Sequence, residues 1–215
     1  VGCGTGQLSN LLAMTKTRTV LGTDLSVNSL KLANKFREKN RIRNLKFIQM
    51  NLFQPVFKAE MFDVVICNGV LHHTSDPFGG FQSISKLVKK GGFIIIGLYN
   101  KYGRIFTDIR RYIFGLTGDS LTSLDPRIGS KNFSPYKKHT WFMDQYKNPH
   151  ESKHTFDDVI NWFEKTGFEF VNSIPNISGK PITHDTKLFE TSTKKTKLRR
   201  LSTQLEMVLS DKEGG

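Results

Sequence analysis

The chain has 215 residues, with 32 Lys and Arg against 19 Asp and Glu for a formal net charge of +13, and its length suits one real core. No run of about eighteen apolar residues argues for a membrane-spanning helix. Two cysteines, Cys3 and Cys67, lie outside any C-x-x-C pair, so a disulfide scaffold is excluded and a reducing cytoplasm is the expected setting.

"VGCGTGQLSN" places Gly2, Gly4 and Gly6 ahead of a helix-compatible "QLSNLLAM". Glycine permits positive φ and close approach of a ligand to the backbone, and a helix start offers free N–H groups. "RTVLGTDL" (Arg18 to Leu25) reads as a strand ending in an acid. Ser26 then caps a helix that buries Val27, Leu30, Ala33 and Phe36. "LKFIQMN" (Leu45 to Asn51) is the next strand and "FDVVICNG" (Phe62 to Gly69) a buried one. Asp76 and Pro77 read as N-cap and first helical position, opening a helix through Phe78, Phe81, Ile84, Leu87 and Val88 that stops at Lys90-Gly91. "GGFIIIGLYN" (Gly91 to Asn100) is the most apolar strand. Strands without alternation, separated by helices, predict a parallel sheet covered on both faces.

Beyond Asn100 the rhythm changes. Tyr102, Ile105, Phe106, Ile109 and Ile113 form a helical stripe, and Gly115 to His154 reads as a long irregular stretch rich in aromatics. Thr155 and Asp158 resemble a capping box for a helix burying Phe156, Val159, Ile160 and Phe163, which Gly167 ends. "FEFVNSIP" reads as a further strand. Leu198, Leu201, Leu205, Val208 and Leu209 mark a last amphipathic helix. The expected organisation is a nucleotide-type core over residues 1–100, an insertion over 101–154 roofing an acceptor pocket, and a return to the same domain over 155–215.

G-x-G-x-G differs from the dinucleotide fingerprint, whose third glycine would fall at Gln7, and this weakens a dinucleotide oxidoreductase. An acid at the tip of the second strand is where α/β nucleotide folds grip ribose hydroxyls, although Asp24 could instead cap the following helix. "HESKH" (His150 to His154) matches the zincin pattern, but Pro149 before it and the Thr155 cap after it place it in a loop. No metal site is expected. Cys67 lies inside a strand, as a buried hydrophobe would. The basic clusters, Lys35 to Lys46 and Lys194 to Arg200, keep a nucleotide- or RNA-binding module as the alternative, though the aromatic repeats of an RNA-recognition domain are missing.

In combination, "VGCGTGQLS", "GTDLS", "NLF", "FDVVICNGVLHHTSDP" and "KKGGFIIIGLYN" resemble the class I S-adenosylmethionine-dependent methyltransferases over residues 1–100. The resemblance implies a Rossmann-like doubly wound sheet with S-adenosyl-L-methionine as cofactor. It implies that Gly2, Cys3, Gly4 and Gly6 pass under the methionine moiety and that Asp24, with Leu25 beside it, holds the ribose. Asn51, where the family has Asp, would accept from the adenine amine with Leu52 alongside. Asn68, Gly69 and Val70 would line the cofactor. The "LHH" that follows resembles small-molecule, lipid or quinone methylases and implies a small-molecule acceptor. It also implies a sheet truncated at both ends, Val1 being the last residue of a first strand and the final "EGG" leading into a last one.

Methyl transfer is an in-line displacement in which positioning supplies much of the catalysis, and a base serves only an acceptor with a proton to lose. His73, His72 and Tyr99 are the catalytic candidates. Asn100, Trp141 and Tyr146 are the substrate-binding ones, with Asp144 and Gln145 in the same roof and Tyr102 and Arg104 weaker choices. Arg104 is read as able to hold an anionic substrate.

Overall fold

The computed structural model describes residues 1–177, 183, 186–191 and 195–210. The chain divides into two units, Val1–Leu98 and Tyr99–Gly215. Glu213-Gly214-Gly215, Lys194 of the basic tail and the Leu209 side chain fall outside the described residues.

In the first unit the expected alternation is present. Helix α1 (Gln7–Met14) leads to strand β1 (Val20–Asp24), helix α2 (Val27–Lys39), strand β2 (Leu45–Gln49) and strand β3 (Phe62–Asn68). Helix α3 (Pro77–Ser85) and strand β4 (Val88–Gly97) complete it. Ser26 caps α2 by accepting from the Ser29 amide (3.2 Å), and Asp76 caps α3 by accepting from Gly79 N–H (2.9 Å) with Pro77 behind it.

The strands pair in parallel as two ribbons, β1 with β2 and β3 with β4, rather than as one continuous ladder. Residues 1–3 touch both: the Val1 nitrogen donates to the Ile66 carbonyl (2.6 Å) and Cys3 N–H to the Thr23 carbonyl (2.9 Å). With each ribbon only two strands wide, β3 and β4 are not buried throughout, and Val64 and Ile95 remain exposed. Leu30, Ala33, Leu45, Val65, Cys67, Phe81 and Ile84 are buried. Val27 and Phe36, expected on the buried face of α2, are exposed.

The third helix ends five residues before its expected stop. Glu60 N–H donates to the Lys86 carbonyl, and Met61 and Phe62 N–H both donate to the Leu87 carbonyl. Strand pairing therefore claims the backbone at 86–87, and Leu87 and Val88 are buried as parts of the ribbon instead of the helix. Strand β4 ends at Gly97, so Tyr99 and Asn100 lie beyond it.

The second unit is helical among its described residues: α4 (Ile105–Leu116), α5 (Pro126–Gly129), α6 (Pro135–Tyr146), α7 (Phe156–Thr166) and α8 (Lys197–Ser210). About half of residues 115–154 are thus helical, a correction to the wholly irregular stretch the prolines suggested. Two of those prolines instead take the first helical position, Pro126 behind the Asp125 cap and Pro135 behind Ser134. The Thr155–Asp158 capping box and the left-handed Gly167 C-cap bound α7 as expected.

The strand expected at "FEFVNSIP" does not form. Asn172 Oδ1 takes the Ser173 amide (2.9 Å) and Ser173 Oγ donates to the Pro175 carbonyl (2.8 Å), local bonds that compete with a ladder. Phe170 and Ile177 pack instead with Ile160 on α7, flanked by Phe156 and Phe163.

Two helices also present different faces from those their apolar spacing suggests. Ile105, Phe106 and Ile109 of α4 are exposed while Phe114 is buried. On α8 the buried face is mostly polar, with Met207 beside it: Thr203 Oγ1 donates to the Ile177 carbonyl (2.9 Å), and Gln204 Oε1 accepts from Asn100 Nδ2 and Phe156 N–H, both at 3.0 Å. Leu198, Leu201 and Leu205 face outward. Among the described residues no helix is long and apolar enough to cross a membrane.

Candidate functional site

The carboxyl ends of β1, β2 and β3 gather the first unit's candidate residues. Gly2, Gly4 and Gly6 all have positive φ (64°, 51° and 77°), and Gly6 is the N-cap of α1. The loop is clasped to the strand tip, because Gly4 N–H donates to Asp24 Oδ2 at 2.7 Å. Asp24 Oδ1 accepts from the Ser26 amide at 2.8 Å. The helix cap is Ser26, so Asp24 links loop, strand and helix without being the cap. Each carboxylate oxygen has a second lone-pair direction left for a ligand.

Three further contacts assemble the site. A Cβ on Gly2 would come within 2.3 Å of Val70 Cγ2, so the turn after β3 packs directly on the loop. Met50 N–H donates to the Asp24 carbonyl (3.0 Å), which sets Asn51 and Leu52 next to the strand tip. Asn51 Oδ1 accepts from Phe53 N–H at 3.0 Å, while Leu52 nests against α3 over Gly80. Leu25 is exposed beside Asp24. By contrast, nothing lies within 4 Å of a Cβ built on Gly4 or on Gly69. Each of these positive-φ glycines borders open space, where a ligand can meet backbone.

Asn68 needs its neighbour to be glycine. A Cβ on Gly97 would lie 1.7 Å from Asn68 Oδ1, so the carboxamide rests on bare backbone of β4. Sequence reasoning missed Gly97, although its pairing with Asn68 follows once the β3–β4 register is known.

Cys3 and Cys67 are both neutral thiols. Burial pushes each up to about 11, with the Asp24 carboxylate adding to the effect at Cys3. Neither is a thiolate nucleophile near neutral pH. His72 is buried in the turn after β3, and its ring meets that of half-buried His73 edge-on, centroids 4.2 Å apart.

The second unit's candidates form two polar nodes. Asp125 Oδ2 accepts from Tyr146 Oη (2.5 Å) and Trp141 Nε1 (3.1 Å), while its Oδ1 takes the Arg127 and Ile128 amides. Burial works to raise the Asp125 pKa, but these donors outweigh it and hold the carboxyl below its usual range. Burial, then the bond to Asp125, pushes Tyr146 up. The Arg127 guanidinium lies 4.1 Å over the Trp141 ring. Beside it Phe133, Tyr136, Thr140, Trp141 and Asp144 edge an open groove of about 330 Å³.

The other node centres on Glu151, 2% exposed, which receives Arg104 (3.1 Å) and Arg111 (2.8 Å). Arg104 also donates to Gln145 Oε1 and stacks 4.1 Å over the Tyr99 ring. With its side chain 3% exposed and these partners in place, Arg104 is a structural cation, which corrects its reading as the holder of an anionic substrate. Tyr99 Oη accepts from Gln145 Nε2 (3.0 Å), and burial raises its pKa, so it is a protonated phenol near neutral pH. Asn100 is spent on Gln204 and on the Tyr102 and Gly103 amides.

His150 to His154 is not helical, so it lacks the one-face spacing that the zincin pattern requires. Its acid is Glu151 of the buried node, and its His154 ring packs on Trp162.

Residues 1–96 match the family model described as a methyltransferase domain. Over this stretch, 96 of the 215 residues, the chain is similar to methyltransferase domains. An uncharacterized protein of a Synechococcus strain is 25% identical over 193 residues, 79% of this chain and 46% of that protein. A ubiquinone biosynthesis O-methyltransferase of Paracidovorax citrulli is 31% identical over 107 residues, 49% of this chain and 44% of that enzyme. PKMT2 of Rickettsia typhi shares the fold, with a TM-score of 0.69 at 16% identity over 97% of this chain and 44% of its own. The chain spans about half the length of the curated relatives it matches.

PKMT2 of Rickettsia typhi is also known in complex with AdoHcy, and the residues gathered here fit a ligand of that kind. Together the strand ends offer open backbone at Gly4 and Gly69, a carboxylate at Asp24 and a carboxamide at Asn51. The fit at Asn68 is testable through its neighbour. Gly97→Ala is expected to displace the Asn68 carboxamide and to weaken binding of S-adenosylhomocysteine about fivefold, the worth of one neutral hydrogen bond. Titration calorimetry measures it; an unchanged dissociation constant would remove Asn68 from the site.

Proposed function

We propose that the protein transfers a methyl group from S-adenosylmethionine to an oxygen of a small-molecule acceptor. The observation that carries the reading is the clasp between Gly4 and Asp24, closed from the far side by Val70 on Gly2. When bound, the cofactor supplies a methyl already activated on a sulfonium. What this chain supplies is placement. Asp24 accepts from the ribose hydroxyls, Asn51 from the adenine amine, and Gly2 to Gly6 present bare backbone to the methionine end. Asn68, Gly69 and Val70 line the other wall.

An oxygen acceptor is favoured by the relatives named for O-methylation in ubiquinone biosynthesis. A hydroxyl has a proton to lose, and His73, held in the turn next to Val70, is the group to take it. In the second unit, Tyr99, Asn100 and Tyr146 commit polar atoms to neighbours. The Trp141 ring and its groove are the better candidates for meeting an acceptor. The two ribbons read as halves of one doubly wound sheet, a view supported by the bonds from residues 1 and 3 to β3 and β1.

Calorimetry with S-adenosylhomocysteine and with NAD, followed by transfer of labelled methyl to phenolic and catecholic small molecules, tests the proposal. Binding of the first ligand and label in an ether product are expected. Tight NAD binding with no heat from S-adenosylhomocysteine would overturn it.

A further inference from the structure

The glycine loop rests on a side chain that comes from a different strand. In the β1–β2 ladder Gly22 stands opposite Phe47. Side chains at paired positions ordinarily stand beside one another on the same face of a sheet. Here Gly22 has none, and the Phe47 ring leans across into the vacated space. A Cβ on Gly22 would lie 2.6 Å from both Cδ1 and Cε1 of that ring. The ring's far end, Cζ, reaches within 2.8 Å of where a Cβ on Gly6 would be. One aromatic ring thus fills the room left by two glycines, one in the middle of β1 and one at the third position of the loop.

Gly6 is also where the loop becomes a helix. Its carbonyl accepts from the Asn10 amide and from Asn10 Nδ2, both at 2.9 Å, and its N–H donates to the Cys3 carbonyl at 2.8 Å. Whatever supports Gly6 from below therefore sets the height of the whole turn from Cys3 to the start of α1. That height in turn sets the reach of the Gly4 N–H to Asp24. Ala33 Cβ lies 2.6 Å from the same hypothetical Cβ on Gly6, so α2 closes the other side of the seat.

We infer that Phe47 is a positioning residue for the cofactor loop, and that Gly22 is glycine because the Phe47 ring must cross β1 to reach Gly6. The inference rests on the assignment of this loop to S-adenosylmethionine, but Phe47 itself need touch no part of the ligand. Interior packing leaves little slack, so a ring and a methyl cannot share this space and one must move. The prediction is an exchange of volume between two positions rather than the loss of one contact.

The test uses Gly22→Ala, Phe47→Leu and the double variant in the whole protein. Wild type is titrated first with S-adenosylhomocysteine; absence of binding there speaks against the cofactor assignment and leaves a second readout for Phe47. That readout is the amide NMR signal of Gly4, which reports its bond to Asp24 without any ligand. Gly22→Ala is expected to weaken binding about tenfold and to shift the Gly4 signal. Phe47→Leu should weaken binding about threefold to tenfold and shift the same signal. In the double variant the leucine leaves room for the new methyl, so affinity should return to within about threefold of wild type and the Gly4 signal towards its original place. A lowered melting temperature in the single variants with affinity and the Gly4 signal both unmoved would make Phe47 an ordinary core filler. A double variant no better than the product of the singles would show that the two positions do not share one space. Either result overturns the inference.

Discussion

Asp24→Ala is expected to weaken S-adenosylhomocysteine binding by about 10- to 100-fold. A carboxylate can accept both ribose hydroxyls, and hydrogen bonds to charged groups contribute roughly 1.5–3 kcal/mol each, with water replacing part of the loss. The structure adds a second consequence. The same side chain holds the Gly4 and Ser26 amides at 2.7 and 2.8 Å, so the variant should also melt earlier and lose its pre-formed loop. Asp24→Asn separates the two effects. Its one carbonyl oxygen can keep one amide partner but no longer carries the charge, so affinity should fall more than stability. Calorimetry and a melting curve on each variant decide the matter. An unchanged dissociation constant beside a lowered melting point would leave Asp24 as a loop tie alone.

Glu151→Ala should have the largest effect on folding. Its carboxylate is the shared partner of Arg104 and Arg111, and removing it leaves a guanidinium buried without its counter-charge. Breaking a buried pair from one side costs about 3–5 kcal/mol, against a total domain stability of about 5–15 kcal/mol. The second unit should therefore lose cooperative unfolding or melt far earlier. Both tryptophans, Trp141 and Trp162, lie in that unit, so their fluorescence reports on it selectively.

The same node makes the second unit acid-sensitive. Burial tends to raise the Glu151 pKa, but the Arg111 bond and the charges of Arg104, Arg111 and Lys153 outweigh it and leave the carboxyl below its ordinary range. Asp125 is lowered as well. A folded-state pKa below the unfolded one stabilises above the unfolded value, and that contribution is lost as pH falls through the folded one. Burial also lowers the His154 pKa, so tryptophan-detected stability should begin to decline as pH falls below the ordinary imidazole value and fall further through and below the ordinary carboxylate range. In Glu151→Ala that fall should be shallower. A variant with the wild-type melting point and acid profile would dismiss the node as a source of stability.

How far such features can be read ahead of the structure depends on how distant their partners are in the chain. Ser26, the Asp76-Pro77 pair, the Thr155–Asp158 box and Gly167 are all legible, because a cap meets partners within four residues. Glu151 was visible only as the acid of a zincin-like string. Its real partners, Arg104 and Arg111, stand 47 and 40 residues away, and no local spacing announces them. Phe47 was likewise only one apolar residue of a strand.

The sequence by itself determined the alternation of helices and strands over residues 1–97, the starts of α2 and α3, both ends of α7, and the glycine loop paired with Asp24. Periodicity, capping and the conformational freedom of glycine are properties of short stretches, so these survive without knowledge of the rest. Only the tertiary structure decided that strand pairing at 86–87 would cut α3 short, that Asn172 and Ser173 would turn the chain where a strand was expected, and that α8 would bury Thr203 and Gln204 while Leu198, Leu201 and Leu205 faced outward. Each of those outcomes is a competition between a local preference and a distant hydrogen-bond partner. The partner wins because a buried polar group left unpaired costs about 1–3 kcal/mol, more than the few tenths to one kcal/mol per residue by which local propensities differ.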